Sequence, residues 1–274
     1  MITTVIGAEG FIGRHIINVL NQNGLPYFAP KRNDQSVYLK PLGHVIYCAG
    51  VTSDFRSRPF DTVRAHVGYL SDLLEQSDFE SFLYLSSTRV YFHQKEHDTC
   101  DEKENILVNP LHSEELFNLT KLTGESLCNT VNKPNVRIAR ISNVCGDDFE
   151  SNNFIYSIIK DAVNTGEIIL HSTYESEKDY ISVEDVANLL LQISHRGKSK
   201  LYNVASGRNT TNKEIVEKII SSTGCRVEMS SNARTIKFPT INTSLLSKEF
   251  GYIPENSSDM ILNLVNYYKE QVEA

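Results

Sequence analysis

Residues 3–20, TTVIGAEGFIGRHIINVL, set an apolar run, three glycines and an amphipathic stretch end to end. The apolar run 3–7 reads as a buried strand, and residues 11–24 read as a helix that stops at Gly24. A strand that runs through glycines into a helix opens a βα unit, and the rest of the chain repeats the alternation. Strands are expected at 26–29, 44–50, 81–87, 135–142, 167–171 and 201–206. Helices are expected at 61–77, 113–130, 152–166, 183–194, 211–224 and 257–271. This alternation predicts an α/β fold with a parallel sheet covered on both faces. Residues 32–44 leave little room for a crossover helix, so a short irregular segment is expected there. The helix at 211–224 opens on a Thr211/Glu214 capping-box spacing and closes on Gly224.

At 274 residues the chain suffices for one large domain or two intimate ones. It has no internal repeat and no Gly/Ser linker, so its second part should pack on the first. The net charge of −7 argues against a duplex nucleic-acid binder, while leaving room for a local basic pocket. Five scattered cysteines without a C-x-x-C pair read as reduced thiols, which points to the cytoplasm. The first residues begin directly on a strand, so no secretory leader is expected. No run approaches the roughly 18 apolar residues of a membrane span. The eight histidines show no metal spacing, and no metal site is expected. Tyr267 and Tyr268 read as helix packing, and Cys48 as core.

Gly7, Gly10 and Gly13 lie between the first strand and the first helix. Glycines there permit a tight turn and close backbone approach to a pyrophosphate, which the helix N-terminus attracts. Glu9 is an odd neighbour for such an anion unless it points to water. After the second strand, APKRND offers Lys31 and Arg32 to a ribose 2′-phosphate, which favours NADP. Asp34 is close enough to keep NAD in play.

Taken in order, GAEGFIG, HVIYCAG, FLYLSSTRVY, FNLTKLTGE, RIARISNVCGD, EKDYISVEDVA and LYNVASGRNTTNKEIVEKI resemble the extended short-chain dehydrogenase/reductase family over essentially the whole chain. That family contains nucleotide-sugar epimerases, dehydratases and keto reductases. The resemblance implies a Rossmann-type doubly wound parallel sheet with a smaller C-terminal substrate-binding domain. The first would span 1–146 with 181–206, and the second 147–180 with 207–274. It implies that Gly7, Gly10, Phe11, Ile12, Gly13, Lys31, Arg32, Ala49, Gly50 and Lys121 hold NAD(P). Ser87 takes the catalytic serine position, and Thr88, Asn143, Lys178 and Arg208 face a nucleotide sugar. A homodimer seam of the helices at 61–77 and 113–130 is likewise implied, and neither nucleic acid nor membrane is an expected partner.

The family's reaction moves a hydride between nicotinamide and a sugar carbon while a proton crosses at the neighbouring oxygen. A tyrosine four residues before the lysine does this when its pKa, ordinarily ~10, is pulled down by that cation. In this sequence Lys121 and Ser87 remain, but the tyrosine position is Phe117. His66 stands where an asparagine is common, and Lys178 where an arginine often faces the nucleotide-sugar end. Three readings stay open. Another acid–base group serves, from His112, Glu114, Glu115, Tyr91, His93 or Cys100; the chain binds NAD(P) without turnover; or Phe117 is an introduced change. His66 and Lys178 favour natural divergence.

Overall fold

A computed structural model describes residues 1–94, 99–133 and 135–273. β1 (Thr3–Ile6) leads into α1 (Phe11–Gln22), followed by β2 (Tyr27–Phe28) and β3 (His44–Tyr47). A helix in three parts comes next: α2 (Pro59–Val63), a π-helical segment Arg64–Gly68 and α3 (Tyr69–Gln76). Then come β4 (Ser81–Ser87), β5 (Thr99–Cys100), α4 (Glu115–Thr130), β6 (Val136–Ile141) and β7 (Asn143–Cys145). They are followed by α5 (Phe154–Asn164), β8 (Glu167–Ser172), β9 (Glu177–Ser182), α6 (Val183–Arg196) and β10 (Leu201–Val204). The last elements are β11 (Asn209–Thr211), α7 (Asn212–Thr223), β12 (Arg226–Arg234), β13 (Thr240–Ile241), α8 (Ser244–Phe250) and α9 (Ser257–Glu273).

Six strands form one sheet in the order β10-β6-β4-β3-β1-β2, every pair parallel. Successive residues of a strand point to opposite faces, and both faces here are covered. Val5, Ile46, Leu83 and Ala139 pack under Ile16 and Leu20 of α1 and Val186 and Leu190 of α6. Their neighbours Ile6, Val45, Phe82 and Ile138 pack under Leu70 and Leu73 of α3 and Cys128 of α4. That is the parallel sheet covered on both faces expected from the alternation, in the doubly wound, Rossmann-type form that the family resemblance implies. The strand order reverses at β1 and β3, so a crevice opens at their carboxyl ends. A separate core joins α5, β8, α7 and α9 through Ile159, Leu170, Ile219 and Ile261. Among the described residues no helix is long and apolar enough to cross a membrane.

Several elements differ from the sequence reading. The strand expected at 44–50 stops at Tyr47, and residues 48–50 form a loop at the crevice. The segment between Arg32 and His44 contains a 3-10 turn, Gln35–Tyr38, capped by Asp34, which accepts from the Ser36 N–H at 2.9 Å. Unexpected strands β7, β9 and β11 make a three-stranded sheet, β12 pairs with β8, and β13 pairs with β5. The capping box at Thr211 is present: Glu214 N–H donates to its hydroxyl at 3.1 Å, and Thr211 N–H donates to the Glu214 carboxylate at 2.8 Å.

The helix expected at 61–77 is interrupted by the π segment, which no periodicity announced. Its cause lies in the sheet. Tyr47 of β3 donates its hydroxyl to the Ala65 carbonyl at 2.5 Å, and Tyr84 of β4 donates to the His66 carbonyl at 3.4 Å. Two buried phenols thus satisfy carbonyls inside the widened turn.

Close approach of α4 to β4 depends on Gly124, where an added Cβ would lie 2.4 Å from the Tyr84 hydroxyl. Gly68 meets nothing within 4 Å. The expected outcome is that Gly124→Ala lowers unfolding free energy by about 1–3 kcal/mol through overpacking. Gly68→Ala should leave it equal or raise it by up to about 1 kcal/mol, both read by chemical denaturation.

Candidate active site

The three glycines of the first turn have different physical jobs. Gly7 has φ +82°, and a Cβ on it would lie 2.8 Å from the Ala49 N. A Cβ on Gly13 would lie 2.3 Å from the Gly7 carbonyl oxygen. Folding alone therefore demands these two. At Gly10 the nearest neighbour of an added Cβ is the Gly7 oxygen at 3.4 Å, an ordinary contact. The missing side chain of Gly10 leaves open space at the crevice, the cradle a pyrophosphate needs. α1 has no side-chain cap and no acid in its first turn, so its N–H groups and positive dipole end are free for an anion. These residues fit the phosphates of a dinucleotide. Glu9 is exposed and outside the cleft lining.

The crevice widens into a cleft of about 750 Å³. Gly10, Phe11, Ile12, Gly13, Gly50, Ser87, Thr88, Phe117, Lys121, Asn143 and Lys178 all line it, although they come from six separate stretches of chain. Gly7 and Ala49 stand behind the lining as packing partners. Lys31 and Arg32 are exposed beyond the end of β2 and outside the lining. Arg208 also lies outside it, with its guanidinium 2.6 Å from the Glu214 carboxylate. Asn143 donates its amide to the Asp179 carbonyl at 2.8 Å. The Asp179 carboxylate in turn accepts from the backbone N–H groups of Ser206, Gly207 and Arg208, which fixes that loop.

Lys121 is buried at the cleft floor and donates to the Leu85 carbonyl at 2.9 Å. Burial without an ion pair pulls its pKa down to about 8. Phe117 lies one turn earlier, 7% exposed, with its ring centroid 5.8 Å from the Lys121 Nζ. The ring packs against Phe55 at 5.5 Å and edge-on against His66 at 5.4 Å. The Arg89 guanidinium sits 5.8 Å from the same centroid.

His66 is fully buried and its hydrogen bonds assign its tautomer. The Val51 N–H donates to Nε2 at 3.2 Å, so Nε2 carries no proton. Thr120 donates its only hydroxyl proton to the Phe117 carbonyl at 2.9 Å, so at 2.8 Å it must accept from Nδ1–H. Burial, with the nearby Lys121 charge, pushes the imidazole down to about 2. His66 is a neutral tie between the β3 loop and α4.

None of the six alternative acid–base groups lines the cleft. Glu114 is gripped by the Arg56 guanidinium fork and by Arg89 at 3.2 Å, and the Arg56 hydrogen bonds hold it below the usual carboxylate range. Glu115 is buried with His93 at 2.7 Å. Burial pushes Tyr91 up to about 12 and Cys100 up to about 11. His112 is exposed. Residues absent from the sequence reading do line the cleft: Phe55, Arg56, Arg89, Tyr156 and Phe238. Arg89 was findable, since it follows Thr88 directly; Phe238 had no local signal.

The His66 shift has a defined consequence for acid stability. A depressed folded-state pKa means the unfolded chain binds the proton first, so stability is present above pH 6.5 and lost as pH falls below it. The loss should approach 1.4 kcal/mol per pH unit, an order-of-magnitude slope. In His66→Asn that component is expected to vanish. Denaturation curves at pH 7, 5.5 and 4.5 would then converge for the two proteins as pH falls; parallel curves would contradict it.

Comparison with known proteins agrees with this architecture. No curated protein matches the sequence. Among solved structures, MoeE5 in complex with UDP-glucose and NAD is 18% identical, with a TM-score of 0.81 over 99% of this chain and 100% of that one. RMD from Pseudomonas aeruginosa, complexed with NADPH, is 20% identical with a TM-score of 0.78 over 98% and 99%. The dTDP-glucose 4,6-dehydratase (rfbB) of Bacillus anthracis str. Ames in complex with NAD is 19% identical, with a TM-score of 0.78 over 100% and 98%. These similarities show a shared fold. The sequence pattern of the NAD dependent epimerase/dehydratase family matches residues 3–205, three quarters of the chain, and the protein belongs to that family.

Proposed function

We propose that the chain binds NAD(P) in this cleft and modifies a nucleotide-activated sugar, by epimerisation, dehydration or keto reduction. The observation that carries this reading is the Gly10 cradle opening into the same cleft as Ser87 and Lys121. Bound there, the nicotinamide would take and return a hydride at a sugar carbon. The Gly10–Gly13 turn and α1 hold the phosphates, and Lys121 grips the nicotinamide ribose. Ser87 orients the reacting sugar oxygen. Thr88 and Asn143 flank it. Lys178 and Arg89 supply cations toward the nucleotide end; burial and Arg89 both depress Lys178, so an anion between them would be welcome. On this reading residues 1–146 with 181–206 hold the cofactor, and 147–180 with 207–274 hold the sugar nucleotide. Arg208 would reach the substrate only by leaving Glu214.

NADP is the favoured dinucleotide. Lys31 and Arg32 make no ion pair among the described residues, while Asp34 is occupied in capping the turn at Gln35. Exposed Phe60 and Val63 on α2 support a homodimer seam beside α4. Five free thiols support a reducing, cytosolic setting. A second reading, binding without turnover, is favoured by Phe117 alone, which stands where the family places its tyrosine and has no proton to give.

Fluorescence titration should show NADPH binding at least about tenfold tighter than in Gly10→Ala, whose stability falls by no more than about 1 kcal/mol. The double change Lys31→Ala, Arg32→Ala should weaken NADPH and spare NADH. A panel of nucleotide sugars incubated with NAD(P) and read by mass and NMR should yield an epimer, dehydrated or reduced product. Absence of binding by either dinucleotide at millimolar concentration would sink the reading.

A further inference from the structure

With phenylalanine at 117, the reaction proposed above lacks its usual proton carrier, and the cleft contains few substitutes. Arginines keep their protons at any working pH, which removes Arg56 and Arg89. The Tyr156 hydroxyl accepts from the Gly146 N–H at 3.1 Å and points to the Val144 carbonyl at 3.5 Å. Burial pushes the Cys48 thiol up to about 12. Asp148 and Glu150 line the cleft from the loop after β7, on the side of α1, where the charged neighbours of Asp148 are Arg14, His15, Asp147 and Glu150 itself. Lys178 stands over the rings of Phe154 and Phe238, each 5.9 Å away, with Arg89 as its charged neighbour, the pair assigned above to the nucleotide end.

Lys121 remains, and its placement is favourable. Its Nζ lies 5.8 Å from the Phe117 centroid, on the cleft side of β4, and donates to the carbonyl two residues before Ser87. That is its one hydrogen bond among the described residues, so the other nitrogen valences are open to the cleft. We infer that Lys121 itself carries the proton to and from the reacting sugar oxygen, the task a phenol at position 117 would perform. This rests on the reading that the cleft holds NAD(P) and a nucleotide-activated sugar.

The surroundings permit it. Facing the amine are Cys48 from the end of β3, Tyr84 of β4 with its ring 5.3 Å away, His66 of the π segment and Glu125 on α4. His66 is kept neutral by burial and has both nitrogens engaged, by Val51 and Thr120, and Glu125 is committed to Arg140 of β6 at 2.7 Å. Among the described residues no carboxylate pairs directly with the ammonium, and burial leaves the amine near pH 8 with both protonation states populated. A lysine serving a phenol must stay charged; here there is no phenol to serve. In the oxidising direction the neutral amine takes the hydroxyl proton, the O–H bond breaking as the N–H bond forms. The adjacent C–H hydrogen leaves with its electron pair to NAD(P)⁺. In the reducing direction the ammonium returns the proton and NAD(P)H the hydride.

The test uses the full chain with NAD(P)⁺ and the sugar nucleotide it turns over. With ¹³C-lysine labelling, the Lys121 ε-carbon of the ligand-free protein should titrate near pH 8, and kcat/KM for oxidation should rise through a midpoint in the same range. At saturating cofactor, Lys121→Met should lose about 10²–10⁴-fold in kcat. Methylamine should restore at least roughly tenfold of that loss, and Lys121→Arg should not substitute. A lysine midpoint above pH 10, or a Lys121→Met protein impaired only in dinucleotide affinity with kcat within about threefold, overturns the inference. Dinucleotide binding with no turnover of any sugar also overturns it while leaving the cofactor reading intact. Failure to bind either dinucleotide instead refutes the functional reading beneath it.

Discussion

The cleft depends on a buried ion pair. Glu125 of α4 and Arg140 of β6 are both buried and meet through two guanidinium–carboxylate bonds at 2.9 and 2.7 Å. The same carboxylate accepts from Ser86 of β4, and Arg140 donates to Tyr91, whose hydroxyl reaches Asn203 of β10 at 2.9 Å. One helix is thereby tied to three strands of the sheet. Such a pair gives little net stability, but removing one partner strands a buried charge at a cost of about 3–5 kcal/mol. Its worth is placement: Lys121 and Phe117 lie one and two turns away on the helix it fixes, and Gly124 lets that helix touch Tyr84.

A second tie crosses from the other side. The π segment is held open by Tyr47 and Tyr84, and it turns His66 inward between Val51 and Thr120. An imidazole with both nitrogens committed cannot carry protons, so it is ruled out as the replacement for the absent phenol. It does lock the β3 loop, where Gly50 approaches the Lys121 amine, against α4. An added Cβ on Gly50 would stand 3.2 Å from His66 and 3.5 Å from Lys121. Helix, loop and strand end are thus fixed around one buried amine and one phenylalanine ring.

The parts of this arrangement that were legible in the sequence are those written in local spacing. The βα alternation, the glycine turn and the capping box at Thr211 each lie within a dozen residues. Elements defined by distant partners were not legible. Asn143 pairs with Tyr180, and Asn209 with Asp179, across tens of residues, and neither stretch has a strand pattern of its own. β12, with the sequence RVEMSSNAR, is mostly exposed and lacks alternation. The π segment has ordinary helical spacing, because its cause is two tyrosines on other strands. The same holds for the site: Arg56 and Arg89 converge on Glu114, a residue the sequence reading had placed among the acid–base candidates. Fixed between two guanidinium groups, Glu114 is a structural anion.

The proposed proton transfer by Lys121 requires that the cleft work with a phenylalanine at its centre. The direct measurement is turnover of the active nucleotide sugar by the Phe117 chain and by Phe117→Tyr, side by side at saturating NAD(P). The Phe117 chain should turn over, with the tyrosine variant no more than about threefold faster. An inert Phe117 chain that gains activity with the tyrosine would contradict this, and would identify Phe117 as a lesion in an otherwise ordinary site.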